Sequence, residues 1–246
     1  VVNPLDNLTV YLDYYEVEIT DTISSIGSQL ILNGCYQGTN PGYCNLVTRL
    51  PTGFVKDLRN TTNNIGKLET SGYEITAMYD WESSFGSWRA VADFAMLDDF
   101  DVTKANGSVE HYAGLVVGNA RDQYKDVKGN LQLFWSRGDF SASATAQYHG
   151  EADGVASAPP KTLADGSKDA GESKTGLDAT WYLDIQASYN MEGLNSILSV
   201  GIDNLFDEDP PFFSDSFAND FDPSYRTWGS QFWYARITTR IYTIAE

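Results

Sequence analysis

His111 and His149 are the only histidines in the 246-residue chain, and neither stands near a nucleophile with a third residue to orient it. Nucleophilic catalysis needs such a constellation, so none is expected here. Asp98 and Asp99 form a carboxylate pair, but adjacent acids in a polar stretch give weak support for acid–base work. Asp207, Glu208, Asp209, Asp215, Asp220 and Asp222 offer the oxygens that calcium takes. Their spacing fits no defined calcium loop and reads first as solvated charge. Cys35 and Cys44 bracket GCYQGTNPGYC, a Gly-, Pro- and Asn-containing stretch that closes readily into a disulfide. Two thiols without a nearby histidine make a poor metal site, and C-x-x-C spacing is absent. A disulfide points to an oxidising compartment, periplasm or cell surface. No enzyme activity, metal or cofactor is expected.

Composition narrows the partners. The formal net charge is -18, which argues against nucleic acid, since phosphate recognition needs a basic face. Aromatics make up 13% of the chain and Tyr is the commonest of them, the kind of ring that collects on half-wet surfaces. The sequence starts at Val1, which reads as a processed product or a piece of something longer, and it contains no signal peptide. No apolar run of about 18 residues is present, which argues against a membrane helix but not against a membrane barrel.

The elements that must position these residues are strands. Alternation with a period of two dominates the chain. In FSASATAQYH, Phe140, Ala142, Ala144, Ala146 and Tyr148 lie opposite Ser141, Ser143, Thr145, Gln147 and His149. The same pattern runs through LTVYLDYYEVEI, where the phase blurs after Tyr15, and through SGYEITAMYDW, SWRAVADFAM, VKGNLQLFW, TWYLDIQASY, SILSVGID and FWYARITTRIY. That predicts about eight strands of roughly ten residues, the length a tilted membrane strand needs. No sustained helical periodicity is seen.

Connections alternate in length. Short turns fall at WESSFGS, SRGD and NMEGLN, and long polar segments at 21–63, 98–123, 151–178 and 207–230. One face of the strands carries Ala, Val, Leu, Ile and rings; the other carries Ser, Thr, Gln and charges, which would be costly in a sandwich core. In a barrel the first face meets lipid and the second a wet or plugged lumen. Tyr14, Tyr79, Trp88, Trp135, Phe140, Tyr148, Trp181, Tyr189 and Trp233, at strand ends, would form the interfacial girdles. The fold class expected is all-β: an antiparallel transmembrane β-barrel.

Four stretches carry a family resemblance. SVGIDNLFDEDPPFF resembles the segment near the end of TonB-dependent outer-membrane receptors, where a penultimate strand exits through V-x-N-L-F-D. YRTWGSQFWYARITTRIY resembles their closing strand, although its last outward position is Ile241 rather than an aromatic. NIGKLETSGYEITAMYDW and VYLDYYEVEITDTI resemble two further strands, in the family's order. The resemblance implies a barrel of about 22 strands, of which residues 1–246 would be the C-terminal part. The plug domain and N-terminal strands would lie outside this chain.

It also implies energy-coupled import of a scarce ligand across the bacterial outer membrane: an iron chelate, cobalamin or an oligosaccharide. The implied partners are outer-membrane lipid, the remaining barrel and plug, the TonB system through the absent N-terminal part, and the small-molecule or oligosaccharide ligand. Ligand contacts would fall on the last outer loop, with Phe212, Phe213, Phe217, Phe221, Tyr225 and Trp228 as candidates. Two alternatives stay open: a passive porin or small closed outer-membrane barrel, and a soluble secreted carbohydrate-binding β-sandwich.

Overall fold

The structure is a computed structural model that describes residues 1–104, 107, 109–117, 122–154, 161–162, 168–169, 176–213, 221, 225 and 230–239. It divides into two compact units, one of Val1–Tyr15, Gly72–Asp98 and Gly114–Glu246, the other of Glu16–Ser71 and Asp99–Ala113.

Eight long strands answer to the eight expected: β1 (Leu8–Ser25), β2 (Thr62–Ser83), β3 (Gly86–Thr103), β4 (Val127–Arg137), β5 (Phe140–His149), β6 (Thr180–Met191), β7 (Ser196–Asp203) and β8 (Phe232–Thr239). They follow one another in sheet order. Two short strands missed by periodicity, Val2–Leu5 on β1 and Val109–His111 on β3, bring the sheet to ten. Strands β1 to β3 are 18, 22 and 18 residues long, well beyond the roughly ten expected. A membrane crossing takes about 9–11 residues. The remainder of each needs no apolar face, which is why the alternation blurs after Tyr15. Residues 240–246, including Ile241, lie outside the described residues.

Register aligns the alternating residues into rows. Trp88, Trp135, Ala142, Ala187, Val200 and Ala235 are cross-strand partners on one face, and Ala90, Leu133, Ala144, Ile185, Ile202 and Trp233 form the next rung. The other face carries Ser136, Ser141, Ser188, Ser199 and Arg236 on one rung and Gln132, Thr145 and Asp184 on another. A one-residue slip would exchange the faces, so this agreement over six strands fixes the sidedness.

No described element covers the apolar face. Leu131 is 41% exposed and Trp233 67%, values foreign to a sandwich interior, so the β-sandwich reading falls. From Phe140 to Tyr148 the strand climbs about 27 Å, or about 20 Å after tilt, close to the height of a barrel's apolar band. Rings mark both limits. At the short-turn end Tyr79 stacks on Trp81, Trp81 on Trp88, and Phe140 meets Tyr189. At the other end Tyr148 meets Trp181 and Tyr14 meets Tyr73.

The short turn between β2 and β3 is held by two rings. The Trp88 indole donates to Ser83 Oγ at 3.0 Å and the Trp135 indole to the Phe85 carbonyl at 2.8 Å. Each ring keeps its body in the apolar belt and its N–H on the turn.

The second unit corrects the expectation of no helix. Ser28–Gln37 is α-helical, bounded by Gly27 and by Gly38 in the left-handed region. Its ten residues bury Ile31 but carry no long apolar repeat, so periodicity could not announce it. The expected Cys35–Cys44 disulfide is formed and ties the helix to the 3-10 turn Pro41–Leu46. Among the described residues, no helix is long and apolar enough to cross a membrane.

Candidate functional site

The polar face of the sheet is cross-braced. Thr76 Oγ1 donates to Asp93 Oδ1 at 2.7 Å, and Arg89 grips both carboxylate oxygens of Asp80, at 2.7 and 3.3 Å. Gln147 donates to Asp184 at 3.2 Å, and Ser188 and Ser199 share a hydrogen bond at 2.8 Å. Tyr234 lies flat over Gly201, where a Cβ would meet the ring at 2.4 Å, and donates to Gln186 at 3.1 Å. These groups satisfy one another while facing a space, which is how a wet lumenal wall is built rather than a core.

A set of main-chain and side-chain hydrogen bonds builds the N-L-F-D exit. Strand β7 ends at Asp203, well before Pro210 and Pro211, because Asn204 turns the chain in the left-handed region at φ 53°. Its amide N–H donates to Asp184 Oδ1 at 2.8 Å, while its side chain donates to the Glu208 carbonyl and accepts from the Glu208 N–H, both at 2.9 Å. Asp207, also left-handed, accepts from the Gln231 N–H at 2.7 Å and so joins the two ends of the last loop. Asn and Asp suit both tasks, since they tolerate this backbone region and bond nearby main chain. The motif is a clasp.

Beyond the clasp, the outer segments build the apolar core of this unit. A four-stranded sheet of Leu115–Val117, Asp122–Gln123, Ala152–Gly154 and Gly176–Leu177 supplies Val116, Ala152 and Leu177. They pack with Tyr182, Phe213 and Tyr225. His149 and Tyr182 both contact the Tyr225 ring, with centroids 4.8 and 6.5 Å away. The Lys125 ammonium sits 3.6 Å from the centre of that ring and donates to the Tyr225 hydroxyl. Sequence reasoning missed Lys125, Tyr182 and His149 as a group. The available signal was Tyr182 itself, a large ring in a row of small polar residues.

The six expected ligand contacts separate. Phe213 and Tyr225 are buried in this cluster, Phe221 is half-buried, and Phe212 is 54% exposed. Phe217 and Trp228 lie outside the described residues. His111 pairs with Asp101 at 2.7 Å on the outer surface of the second unit. There Lys67 bridges Glu18 and Glu69 at 3.0 and 2.7 Å, and both carboxylates raise its pKa, Glu69 most. Glu110 titrates below the usual carboxylate range because Lys104 and then Tyr112 hydrogen-bond its charged form. Among the described residues, no His, Cys, Asp and Glu group could hold a metal ion.

A protein-family model described as "TonB dependent receptor-like, beta-barrel" matches residues 2–205. The chain belongs to the TonB-dependent receptor β-barrel family. It is therefore a bacterial outer-membrane protein, and its family is one of transporters rather than enzymes. No curated protein matches it. Among solved structures, a mutant of the ferric enterobactin receptor PfeA from Pseudomonas aeruginosa superposes with a TM-score of 0.56 at 17% identity, over 95% of this chain and 29% of that one. The siderophore receptor PirA from Acinetobacter baumannii gives 0.56 at 15%, again over 95% and 29%. The FrpB iron transporter from Neisseria meningitidis gives 0.52 at 13%, over 88% and 27%. At these identities the likeness speaks to the fold. The chain spans less than a third of the length of each of these receptors.

Proposed function

We propose that this chain forms the C-terminal strands of a TonB-dependent active transporter that imports a metal chelate across the bacterial outer membrane. The remaining barrel strands, the plug and the segment that engages TonB belong to sequence outside residues 1–246. The observation that carries this reading is the sheet with one bare apolar face and one hydrogen-bonded polar face, in a chain whose family model spans residues 2–205. A metal chelate is preferred to cobalamin or an oligosaccharide because the proteins of similar fold include an iron transporter, a copper transporter and a siderophore receptor. In this reading Phe212 and Phe221 offer rings to the ligand, while Phe213 and Tyr225 hold the loop that presents them.

The test is uptake of radiolabelled iron by iron-starved cells carrying the complete receptor, with and without a functional TonB system. Uptake that requires both the receptor and TonB is expected. Uptake that persists without TonB would favour a passive pore, and no receptor-dependent uptake of any metal chelate would overturn the cargo.

A further inference from the structure

The apolar face is not uniform. Between Trp88 and Trp135 on one side and Trp233 on the other lies a groove of about 870 Å³. Its floor carries Ala142, Ala144, Ala187 and Ala235, with Ile185, Val200 and Ile202 between them on the neighbouring strands. All three indole N–H groups are hydrogen-bonded, that of Trp233 to Gln231 at 2.7 Å.

The same face carries one charge. Over the aligned rows from Gly86 to Met96, Val127 to Arg137, Phe140 to Tyr148, Trp181 to Met191, Ser196 to Ile202 and Trp233 to Thr239, that charge is Arg137. It stands two residues beyond Trp135, paired with Phe140 at the short-turn limit of the apolar band. Its guanidinium has no hydrogen bond or ion pair among the described residues. Nearby Asp139 instead accepts from Asn190. A cation at that depth, below a groove open to hydrocarbon, complements a lipid phosphate, as basic pockets beside membrane spans do. Short turns mark the periplasmic end of a barrel, so the lipid belongs to the periplasmic leaflet.

We propose that this groove and Arg137 bind one anionic glycerophospholipid, an acyl chain lying along the floor and the headgroup reaching the guanidinium. The inference rests on the lipid-facing assignment of this face. Its experiment uses the complete receptor in nanodiscs of mixed phosphatidylglycerol and phosphatidylethanolamine, with native mass spectrometry reading the lipids retained after release. Retained phosphatidylglycerol should exceed phosphatidylethanolamine, and Arg137→Gln should lower that preference about fivefold. Ala187→Trp, which fills the groove, should remove retention of both lipids. Arg89→Gln, on the polar face, should leave the preference unchanged. Equal retention of the two lipids by the native receptor, or an unchanged preference in Arg137→Gln, would overturn the site. So would a dimer that retains no lipid. If Ala187→Trp does not fold, judged by loss of the heat-modifiable band, the Arg137→Gln comparison decides alone. Failure of the lipid-facing assignment itself would look different: the receptor would stay soluble without detergent.

Discussion

The strand wall and the outer mouth of this chain are built by opposite means. In the wall, residues that touch are close in sequence or lie on adjacent strands of one register, and turns such as Gly138–Asp139 join them. At the mouth, Val116, Ala152, Leu177, Tyr182, Phe213 and Tyr225 come from five separate stretches to make one small core. The wall needs lipid to cover its apolar face; the mouth covers its own. Damage to the wall should therefore compromise the whole barrel, whereas damage outside it should open a loop and leave the barrel standing.

The sharpest break of that comparison is a charge in the middle of the wall. Leu133→Arg should cost about 2–4 kcal/mol in a bilayer, whereas Gln132→Arg, one residue earlier on the wet face, should cost less than about 0.5 kcal/mol. Urea unfolding of the complete receptor in lipid would read both. Next, Asn204→Ala strips partners from the Glu208 main chain and should cost about 2–3 kcal/mol. That loss should register as proteolytic cutting between Asn204 and Phe213 in a receptor that is still heat-modifiable; global unfolding at the same protease dose would erase the distinction.

Replacing Cys35 and Cys44 together by serine should destabilise their unit by roughly 2–3 kcal/mol, seen as faster cleavage between them with the wall unaffected. Trp135→Phe keeps the ring but loses its bond to the Phe85 carbonyl, and should cost about 1 kcal/mol, spread over the whole unfolding transition. Smallest is Glu110. Its folded pKa is depressed, so its contribution is complete above the ordinary carboxylate pKa of about 4.3 and fades as pH falls through the lower folded value. The group is more than a third exposed, so solvent screening holds the effect to a few tenths of a kcal/mol at most. Comparing acid unfolding of the second unit in native and Glu110→Gln chains would detect it.

The same contrast explains what could be read beforehand. Leu133 between Ala90 and Ala144, or Ala187 beside Val200, follows from period-two spacing because each strand must satisfy the same two solvents. The girdles at Trp88, Trp135 and Trp181 were legible for that reason, and so was the clasp at N-L-F-D as a boundary. Its mechanism was not, since the left-handed turn at Asn204, and not Pro210 or Pro211, ends the strand. The Ser28–Gln37 helix was illegible because a disulfide and the fit of Gly34 against the Tyr43 ring help hold it in place of a repeating apolar stripe. Lys125 beneath Tyr225 was also illegible, since nothing in the spacing of residues 100 apart brings them together. Of the six aromatic candidates, burial separates Phe213 and Tyr225 from Phe212, a division that composition alone does not make.

Spin labels placed singly at Leu131, Gln132, Leu133, Phe134 and Trp135 of the complete receptor in bilayers test the two-solvent wall most directly. Collisions with dissolved oxygen should peak at positions 131, 133 and 135, and collisions with a water-soluble nickel chelate at 132 and 134. Equal accessibility to both reagents along all five positions, or an alternation of the opposite phase, would contradict it.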